Sequence, residues 1–219
     1  RSEQGGTVSG RMSYSNPNLQ QVPARNKEIG PLIRSLFIPE EGCVWGVFDY
    51  SQQEPRLVVH YASVLNYESV APVLNSYNKD EVDFHQIVAD MANIPRSHAK
   101  LINLGLFYGM GKKKLAEQLG LDWNESETLF NKYHSHVPFV RQLMNYTSQR
   151  ANEVGSIKTI GGRKCRFNMW EPDTKGFHKA MPFDQANKEY GKHMALKRAF
   201  TYKALNRLIQ GSAADQTKA

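Results

Sequence analysis

The sequence predicts an α+β fold that is mostly helical. Apolar residues recur at intervals of three and four along most of the chain, which is the spacing of amphipathic helices. Only the apolar run at 43–49 and the glycine-containing stretch at 155–167 have the patterns of strands. The chain of 219 residues contains 40% hydrophobic and 22% charged residues, which is typical of a globular protein.

In the first half of the chain, a looped segment precedes one strand and three helices. Residues 11–36 are rich in Pro, Asn and Gln and predict an extended, looped conformation. The run at 43–49 ends in Asp49 and predicts a buried strand that delivers a carboxylate to a site. Helices are predicted at about 51–65, 83–92 and 96–109.

In the second half, helices are predicted at 112–119, 125–134 and 138–153. Residues 155–167 predict a β-hairpin with Gly161-Gly162 at its turn. Residues 171–184 predict a polar loop, and residues 185–207 predict a long basic helix. A last helix is predicted to begin at 211–215. Because the sequence stops at Ala219, with that helix barely begun, we expect a piece of a longer protein.

Charge and cysteine content limit the function classes. The net charge of +7 and the isoelectric point of about 9.3 favour an anionic partner, of which nucleic acid is the commonest. Cys43 and Cys165 are isolated, so neither a disulfide framework nor a zinc site is predicted, and a reducing compartment is expected. No apolar run approaches the roughly 18 residues of a membrane span, so no membrane partner is expected.

A four-residue repeat in the predicted helix at 96–109 is the most informative pattern. Arg96, Lys100, Leu104 and Tyr108 fall on one slowly drifting face of that helix. Two cations, an apolar side chain and an aromatic ring on one face suit a ligand with a polyphosphate at one end and a flat base at the other. Asp49 is a second candidate, since a carboxylate at a strand end can bind Mg²⁺. The alternative for Asp49 is a helix N-cap.

Five segments together carry a resemblance to a known family. They are Asp49-Tyr50-Ser51-Gln52 with Glu54 and Arg56; Arg96, Lys100, Asn103, Gly105, Tyr108 and Gly109; Gly10-Arg11-Met12-Ser13 with Asn16-Pro17-Asn18-Leu19-Gln20; Asp83-Phe84-His85; and Gln210-Gly211-Ser212-Ala213-Ala214-Asp215. These segments cover nearly the whole chain and follow one another in the order of the family's motifs. Together they resemble the family A DNA polymerases, the group that contains the bacterial repair polymerase and many phage replicases. The first segment matches the first palm motif of that family, and the second matches its fingers helix.

The resemblance implies the fingers and partial palm of a right-hand polymerase fold. Residues 1–66 would be partial palm, 67–185 fingers, and 186–219 a return to the palm that stops before the third palm motif. The implied function is template-directed DNA synthesis, in which a deoxynucleoside triphosphate is joined to a primer 3′ end by two-metal nucleotidyl transfer. The implied partners are primer–template DNA and deoxynucleoside triphosphates, and the implied cofactor is Mg²⁺, as two ions. The expected location is the cytoplasm of a bacterium or of a phage-infected cell.

The resemblance also implies a role for each matching residue. Asp49, Arg96 and Lys100 would be catalytic, with Asp49 and the Tyr50 carbonyl holding metal and the two cations meeting the triphosphate. Nucleotide contacts are implied for Tyr50, Gln52, Glu54, His85, Leu104 and Tyr108. In that set, Glu54 would exclude a 2′-hydroxyl and Tyr108 would lie near the template base. Minor-groove contacts to the DNA duplex are implied for Arg11, Asn18, Gln20, Asn206 and Gln210.

The sequence departs from the family pattern in two ways. Leu104 stands where better-known members carry an aromatic ring against the sugar, and Gln53 and Pro55 replace apolar residues of the first motif. Leu104 and Gln53 suggest a phage-like member. The His-Asp-Glu motif that supplies the second metal-binding aspartate does not occur in the sequence. We therefore expect the 219 residues to be inactive alone.

Two other functions are compatible with parts of the sequence. A P-loop ATPase is suggested by Gly105 to Lys113, but five residues separate the glycines instead of four, and Lys113 stands where Ser or Thr is required. A non-catalytic nucleic-acid-binding domain with the polymerase fold is the second alternative. Retention of Asp49, Arg96 and Lys100 argues against it, because duplex binding has no use for a metal carboxylate. The sequence does not identify a helicase or processivity factor.

Overall fold

The computed structural model describes residues 7–23, 26–77, 83–107 and 110–219. The chain divides into two compact units, Arg1–Ser51 and Gln52–Ala219. The described residues of the second unit are mostly helical with five short strands, which confirms the predicted α+β class. None of the described helices is long and apolar enough to cross a membrane.

The first unit contains little regular structure. Its described elements are a 3₁₀ helix at Leu19–Gln21 and helix α1 at Ile29–Arg34. Asn18 caps the 3₁₀ helix, because its side chain accepts a hydrogen bond from the backbone N–H of Gln20 at 3.2 Å. For the described residues of 11–36, the predicted looped conformation is correct outside these two short helices.

The buried strand predicted at 43–49 is wrong. The described residues of this unit include no strand at that position, and Val44, Val47 and Phe48 are 90–95% exposed. An apolar run forms a stable strand only where a neighbouring strand pairs with its backbone and a packed layer covers its side chains. Neither is provided by the described part of the first unit, so the run stays irregular.

The described residues of the second unit form nine helices, and those between residues 53 and 64 and between residues 84 and 154 closely follow the sequence predictions. The nine helices are α2 (Gln53–Val64), α3 (Ala71–Tyr77), α4 (Phe84–Ala92), α5 (Arg96–Phe107), α6 (Lys112–Leu119), α7 (Trp123–His136), α8 (Pro138–Val154), α9 (Phe183–Glu189) and α10 (Ala204–Lys218), with 3₁₀ turns at Glu68–Val70 and Thr201–Lys203. Helix α7 begins before the predicted residue 125 because Asp122 and Glu125 form a capping box. Pro138 opens α8, where its missing N–H is not needed.

One apolar core joins eight of these helices. Its largest fully buried side chains are Val58 and Val59 on α2, Val73 on α3, Phe84 on α4, Ile102 on α5, Leu115 on α6, Tyr133 on α7, Phe139 and Leu143 on α8, and Ile209 on α10. Burial of each large apolar side chain stabilises the fold by about 1.5–3 kcal/mol relative to leaving it exposed. The core therefore fixes the relative positions of α2, α4, α5 and α10, which carry the candidate site residues of this unit.

Two small antiparallel sheets lie in the C-terminal part of the second unit. Strands β1 (Ser156–Lys158) and β2 (Lys164–Arg166) form a hairpin, with Ile157 opposite Cys165. The turn contains Gly162 at φ +80°, a conformation that glycine adopts without strain. This confirms the predicted hairpin. The second sheet has the order β4-β3-β5 and consists of β3 (Met169–Pro172), β4 (Met181–Pro182) and β5 (Leu196–Arg198).

The polar loop at 171–184 and the long basic helix at 185–207 are only partly correct. Strands β3 and β4 occupy the two ends of the loop, and the helix is divided into α9, β5 and the start of α10. Helix α9 ends before Gly191. Any other residue at position 191 would place its Cβ 2.6 Å from the Asn187 carbonyl oxygen, so the chain after the helix requires glycine there. Arg198 then stabilises β5 by stacking on Trp170 at 4.5 Å, a tertiary contact that the local sequence pattern does not encode.

The helix start predicted at 211–215 is also wrong. Helix α10 begins at Ala204, seven residues earlier, and Gly211 lies inside it. Gly211, Ser212, Ala213 and Ala214 are all buried, so these small residues allow close packing and do not mark a helix end.

Candidate functional site

Asp83 connects the beginnings of α4 and α5. Its Oδ1 atom caps α4 by accepting hydrogen bonds from the backbone N–H groups of His85 at 3.0 Å and Gln86 at 3.2 Å. Its Oδ2 atom accepts from Arg96 Nε at 2.7 Å and lies 2.5 Å from Arg96 Nη2. Burial alone would raise the pKa of this carboxyl, but the hydrogen bonds from Arg96 and the helix amides lower the pKa below its usual value.

His85 belongs to a hydrogen-bonded chain that crosses three helices. Its Nδ1 atom lies 3.1 Å from Asn103 Nδ2 on α5, and the Oδ1 atom of Asn103 accepts a hydrogen bond from the Tyr133 hydroxyl on α7. Asn103 and Tyr133 are fully buried, and His85 is 9% exposed. Burial lowers the pKa of His85, the charges of Arg96 and Lys100 lower it further, and Asp83 raises it. The net effect keeps the imidazole neutral near pH 7.

Three of the predicted nucleotide-site residues therefore come together at one junction. Arg96 and Lys100 lie one turn apart on α5 with exposed side chains, and both act electrostatically on His85 of α4. Leu104, the next residue of the four-residue repeat, is half-buried. Tyr108 lies outside the described residues. The junction offers two positive charges, of which Arg96 is held by Asp83, beside a neutral imidazole, an arrangement that suits a phosphate chain.

The beginning of α2 is joined to the same region. Gln52 has left-handed backbone angles, φ 53° and ψ 40°, and its Oε1 atom accepts a hydrogen bond from the backbone N–H of Phe84 at 2.8 Å. Glu54 follows in the first turn of α2 and is half-buried. The amide contact therefore fixes the start of α2 against the start of α4, and this fixes the helical turn from which Glu54 projects.

Gln53 connects α2 to α10. Its Nε2 atom lies within hydrogen-bond distance of Ala213 O at 3.2 Å, Gln216 Oε1 at 3.1 Å and Thr217 Oγ1 at 3.2 Å. Gln53 is one of the two residues that depart from the family pattern of the first motif. In this chain it forms a polar contact to α10 that an apolar residue would not provide.

Asn206 and Gln210 lie four residues apart on one face of α10, and both are half-buried. Helix α10 is attached to the β1–β2 hairpin by polar contacts at Asp215. Arg163 Nε lies 2.9 Å from Asp215 Oδ1, and Thr159 donates its hydroxyl hydrogen to Asp215 Oδ2. Burial raises the pKa of Asp215, but the hydrogen bonds from Thr159 and Arg163 outweigh it and lower the pKa below its usual value.

A second set of contacts joins α10 to the hairpin and to α2. The fully buried Ser212 hydroxyl accepts a hydrogen bond from the Ile160 backbone N–H at 3.0 Å, and it lies 2.8 Å from the Tyr61 hydroxyl. Arg163 also donates from Nη2 to the Gly211 carbonyl at 2.9 Å. These bonds fix the rotation of α10 about its axis, and therefore the face on which Asn206 and Gln210 lie.

The remaining predicted residues lie in the first unit. Asp49 and Tyr50 are adjacent and exposed, and Arg11, Asn18 and Gln20 are exposed as well. Gln20 donates from its side chain to the Met12 carbonyl at 3.0 Å. The Asp49 carboxylate and the Tyr50 carbonyl are hard oxygen donors of the type that Mg²⁺ prefers. The described residues contain no group of three His, Cys, Asp or Glu side chains that could hold a metal ion.

Sequence reasoning gave no role to several residues that organise the site. Asp83 stands at the start of a predicted helix and in a motif without a function of its own, although an acid at that position is a recognisable N-cap signal. Asn103 matched the fingers motif without a function. Tyr133 gave no signal, because its contact to Asn103 depends on the packing of α7 against α5.

The chain matches the description "DNA polymerase family A" over residues 1–219. It is 37% identical to a protein of Pseudomonas phage M6 named DNA-directed DNA polymerase, over 97% of this chain and 35% of that protein. It is 31% identical to DNA polymerase DpoZ of Vibrio phage phiVC8, over the whole of this chain and 34% of that protein. DNA polymerase I of Rhizobium leguminosarum is 33% identical over 95% of this chain and 19% of its own length.

A solved structure has the same fold. The POL domain of Pol1 from M. smegmatis, in complex with DNA primer–template and dNTP, aligns with a TM-score of 0.71 and 29% identity over 97% of this chain and 34% of that one. The chain spans about a third of the length of the phage relatives that it matches.

Proposed function

Because the chain belongs to DNA polymerase family A, we propose that it takes part in template-directed DNA synthesis, which joins deoxynucleoside triphosphates to a primer 3′ end. The observation that carries this proposal is the junction of α4 and α5, where Asp83 joins the helix start that carries His85 to Arg96, and Lys100 lies one turn further along α5. The primer–template and dNTP named for the M. smegmatis relative are consistent with these partners.

In the proposed reaction, the three side chains bind the triphosphate in different ways. Arg96 provides a planar fork that can bond two phosphate oxygens, and Lys100 provides a compact charge with three rotatable donors. A neutral His85 provides one N–H donor without adding a charge. Together they would stabilise the negative charge that moves onto the leaving pyrophosphate.

Asp49 and the Tyr50 carbonyl are the proposed metal ligands. Their oxygens suit Mg²⁺, which is commonly held by one or two carboxylates and completes its shell with water and phosphate. When bound, two such ions supply charge neutralisation of the attacking and leaving oxygens. We also propose that the 219 residues alone do not extend a primer, because the His-Asp-Glu motif that supplies the second metal-binding aspartate in the family does not occur in them.

The sugar and base of the nucleotide are assigned to the remaining residues of this site. Tyr50 and Glu54 would pack beside the sugar, with Glu54 excluding a 2′-hydroxyl, and Gln52 would contact the nucleotide nearby. Leu104 lies one helical turn after Lys100, between the proposed phosphate and base contacts. Tyr108, one turn further along the sequence, is proposed to lie near the template base.

The duplex is assigned to polar residues of both units. These are Arg11, Asn18 and Gln20 of the first unit and Asn206 and Gln210 of the second. Such side chains can reach the minor-groove acceptors that all base pairs present in similar positions, so they can hold a duplex without reading its sequence. Since the relatives come from phages and bacteria, we propose that the protein works in the cytoplasm of a bacterium or of a phage-infected cell.

Binding of Mg²⁺–dNTP by the 219-residue protein tests the proposal without requiring catalysis. We expect Lys100→Ala to weaken binding by about tenfold or more, because a hydrogen bond to a charged group is lost. Lys114→Ala removes an exposed charge on α6 and is the matched control, for which we expect unchanged binding. Equal effects of the two variants would show that binding is non-specific.

Primer extension by the complete polymerase, with Asp49→Ala, tests the metal assignment. We expect synthesis to be lost while affinity for primer–template stays nearly unchanged, because Asp49 is assigned to metal and not to the duplex. Retained synthesis would refute that role. A complete chain that binds duplex but never extends a primer would favour the second candidate function, a non-catalytic nucleic-acid-binding domain that has kept the fold.

A further inference from the structure

We propose that Asn103 and Tyr133 are positioning residues that hold the His85 ring in the neutral tautomer with its hydrogen on Nε2. The ring then offers an N–H donor, and not an acceptor, to a phosphate oxygen. The proposal concerns two residues to which the sequence motifs assign no role. Its functional meaning rests on the proposed contact between His85 and the nucleotide.

Tyr133 is fully buried, and its hydroxyl is therefore shielded from solvent. A buried O–H group requires an acceptor, and the partner that the structure provides is Asn103. If Asn103 turned its Nδ2 atom toward Tyr133, the hydroxyl would accept that hydrogen bond. Its own hydrogen would then have no acceptor among the described residues. The amide oxygen of Asn103 therefore faces Tyr133.

The orientation of the Asn103 amide fixes the tautomer of His85. With Oδ1 directed to Tyr133, the Nδ2 donor faces His85 Nδ1 at 3.1 Å. An amide N–H₂ group has only hydrogens to offer, so Nδ1 must accept and cannot itself carry a hydrogen. In a neutral imidazole the hydrogen is then on Nε2. No described residue is hydrogen-bonded to Nε2, which leaves this atom for a ligand.

The surroundings of His85 keep the ring neutral, which the tautomer argument requires. Burial and the positive charges of Arg96 and Lys100 oppose protonation, and Asp83, at the N-cap of the same helix, favours it. The carboxylate of Asp83 is itself engaged by Arg96. A neutral Nε2–H donor beside two cations contributes directionality to phosphate binding without adding a third positive charge.

The tautomer can be measured directly, without a ligand. We would label the histidine rings of the 219-residue protein with ¹⁵N and record two-bond ¹H–¹⁵N spectra near pH 7, with His85→Gln to assign the signals. We expect the Nδ1 atom of His85 to show the chemical shift of an unprotonated ring nitrogen. Tyr133→Phe removes the O–H group, frees the amide to turn, and should move both ring nitrogens toward averaged shifts.

Two further variants make the measurement specific. Asn103→Asp places a hydrogen-bond acceptor beside Nδ1 of His85, so we expect the ring hydrogen on Nδ1 in that variant. If Asn103→Asp folds poorly, Tyr133→Phe still tests whether the amide orientation sets the tautomer. Tyr77→Phe removes another buried hydroxyl, for which the described residues provide no hydrogen-bond partner, and should leave the His85 signals unchanged. A hydrogen on Nδ1 in the unmodified protein would overturn the inference.

Binding of inorganic triphosphate with Mg²⁺ separates this inference from the proposed function. We expect Tyr133→Phe to weaken binding about fivefold, the loss of roughly one neutral hydrogen bond, and to have no further effect in a His85→Gln background. Additive effects of the two changes would contradict action through His85. If the spectra show the hydrogen on Nε2 but His85→Gln leaves the affinity for triphosphate unchanged, the phosphate contact is refuted. The positioning of the ring by Asn103 and Tyr133 would still stand.

Discussion

Asp83 binds Arg96 with one carboxylate oxygen and caps α4 with the other. The two contacts place the N-terminus of α4, which carries His85, beside the N-terminus of α5, which carries Arg96 and Lys100. Arg96 is therefore already oriented by a protein carboxylate at the junction proposed to bind triphosphate. An incoming phosphate chain would compete with Asp83 for the guanidinium group, so part of the phosphate affinity is offset by the loss of this ion pair.

Replacing Asp83 separates its two roles. Asn is as good an N-cap as Asp, so Asp83→Asn should retain the cap and lose only the partly exposed ion pair, at a cost below about 1 kcal/mol in free energy of unfolding. Asp83→Ala loses both contacts and should cost about 1 kcal/mol more. Urea denaturation near pH 7 measures the difference. Equal destabilisation by the two variants would contradict the capping role.

The same residue gives a pH dependence with a defined sign. The pKa of Asp83 is lowered in the folded state, so its contribution to stability is present above the unfolded pKa of about 4 and is lost as the pH falls through the lower folded value. Unfolding free energies measured from pH 7 down to pH 3 should show a smaller decrease for Asp83→Asn than for the unmodified protein. An identical decrease would mean that the ion pair does not favour the ionised carboxylate.

Arg163 and Asp215 should contribute more to stability than the exposed ion pairs. The side chain of Asp215 is only 17% exposed, and Arg163 makes an additional bond to the Gly211 carbonyl. We expect Arg163→Ala to lower the free energy of unfolding by about 2 kcal/mol. Lys197→Ala breaks the ion pair with Asp173, whose side chain is 59% exposed, and should cost below about 1 kcal/mol.

A double-mutant cycle tests whether Arg163 and Asp215 act together. The coupling energy of Arg163→Ala with Asp215→Asn should be about 1–2 kcal/mol, measured by urea denaturation. Additive costs would mean that each side chain stabilises the hairpin or α10 independently. In that case the contact at Asp215 would not be what fixes the rotation of α10.

His134 should make the protein less stable in mild acid. Burial, assisted by the charge of Arg141, lowers the pKa of His134 from 6.5 to about 4, and its Nδ1 atom is buried without a hydrogen-bond partner among the described residues. Between these two pH values the unfolded chain binds a proton that the folded chain excludes. Stability should therefore fall as the pH decreases from 6.5 toward 4, by up to about 3 kcal/mol from this residue.

Thermal or urea unfolding of His134→Leu at pH 7 and pH 5 measures this contribution. The variant should lose less stability than the unmodified protein over this interval. A smaller decrease of the unfolding free energy with falling pH should remain in this variant, because the pKa of His85 is also lowered. His193→Gln, which removes an exposed imidazole, should retain the full pH dependence. An unchanged slope in His134→Leu would mean that the buried imidazole is not the group that titrates.

The sequence predicted elements whose signals are local. Helices α2, α4, α6 and α8 were predicted closely because amphipathic spacing and the residues at their ends act within a few positions. The β1–β2 hairpin was predicted for the same reason, since a glycine turn and two short segments define it. The strand at 43–49 was predicted wrongly because the stability of a strand depends on partners elsewhere, which periodicity does not report.

The same distinction between local signals and long-range contacts applies to the candidate site. The cluster of His85, Arg96 and Lys100 was predicted from sequence motifs, and these residues do lie together in the second unit. The orienting contacts were not predicted, because Tyr133 is 30 residues from Asn103 and no spacing rule connects them. Sequence motifs identify residues that are proposed to face a ligand, whereas residues that hold them in place become visible only through packing.

Glu54 provides the sharpest test of substrate choice, because its helical turn is fixed on both sides. Gln52 bonds α4 and Gln53 bonds α10, so the first turn of α2 cannot easily move aside. If the volume of Glu54 excludes a 2′-hydroxyl, Glu54→Ala in the complete polymerase should raise ribonucleotide incorporation relative to deoxyribonucleotide by about tenfold or more. Glu54→Gln keeps the volume and removes the charge, and should keep most of the discrimination.

Single-nucleotide insertion kinetics measure the ratio of ribonucleotide to deoxyribonucleotide incorporation for both variants. Glu68→Ala, which removes an exposed acid after α2, is the control. Loss of discrimination in Glu54→Gln would assign the effect to charge, and an unchanged ratio in Glu54→Ala would remove Glu54 from sugar selection.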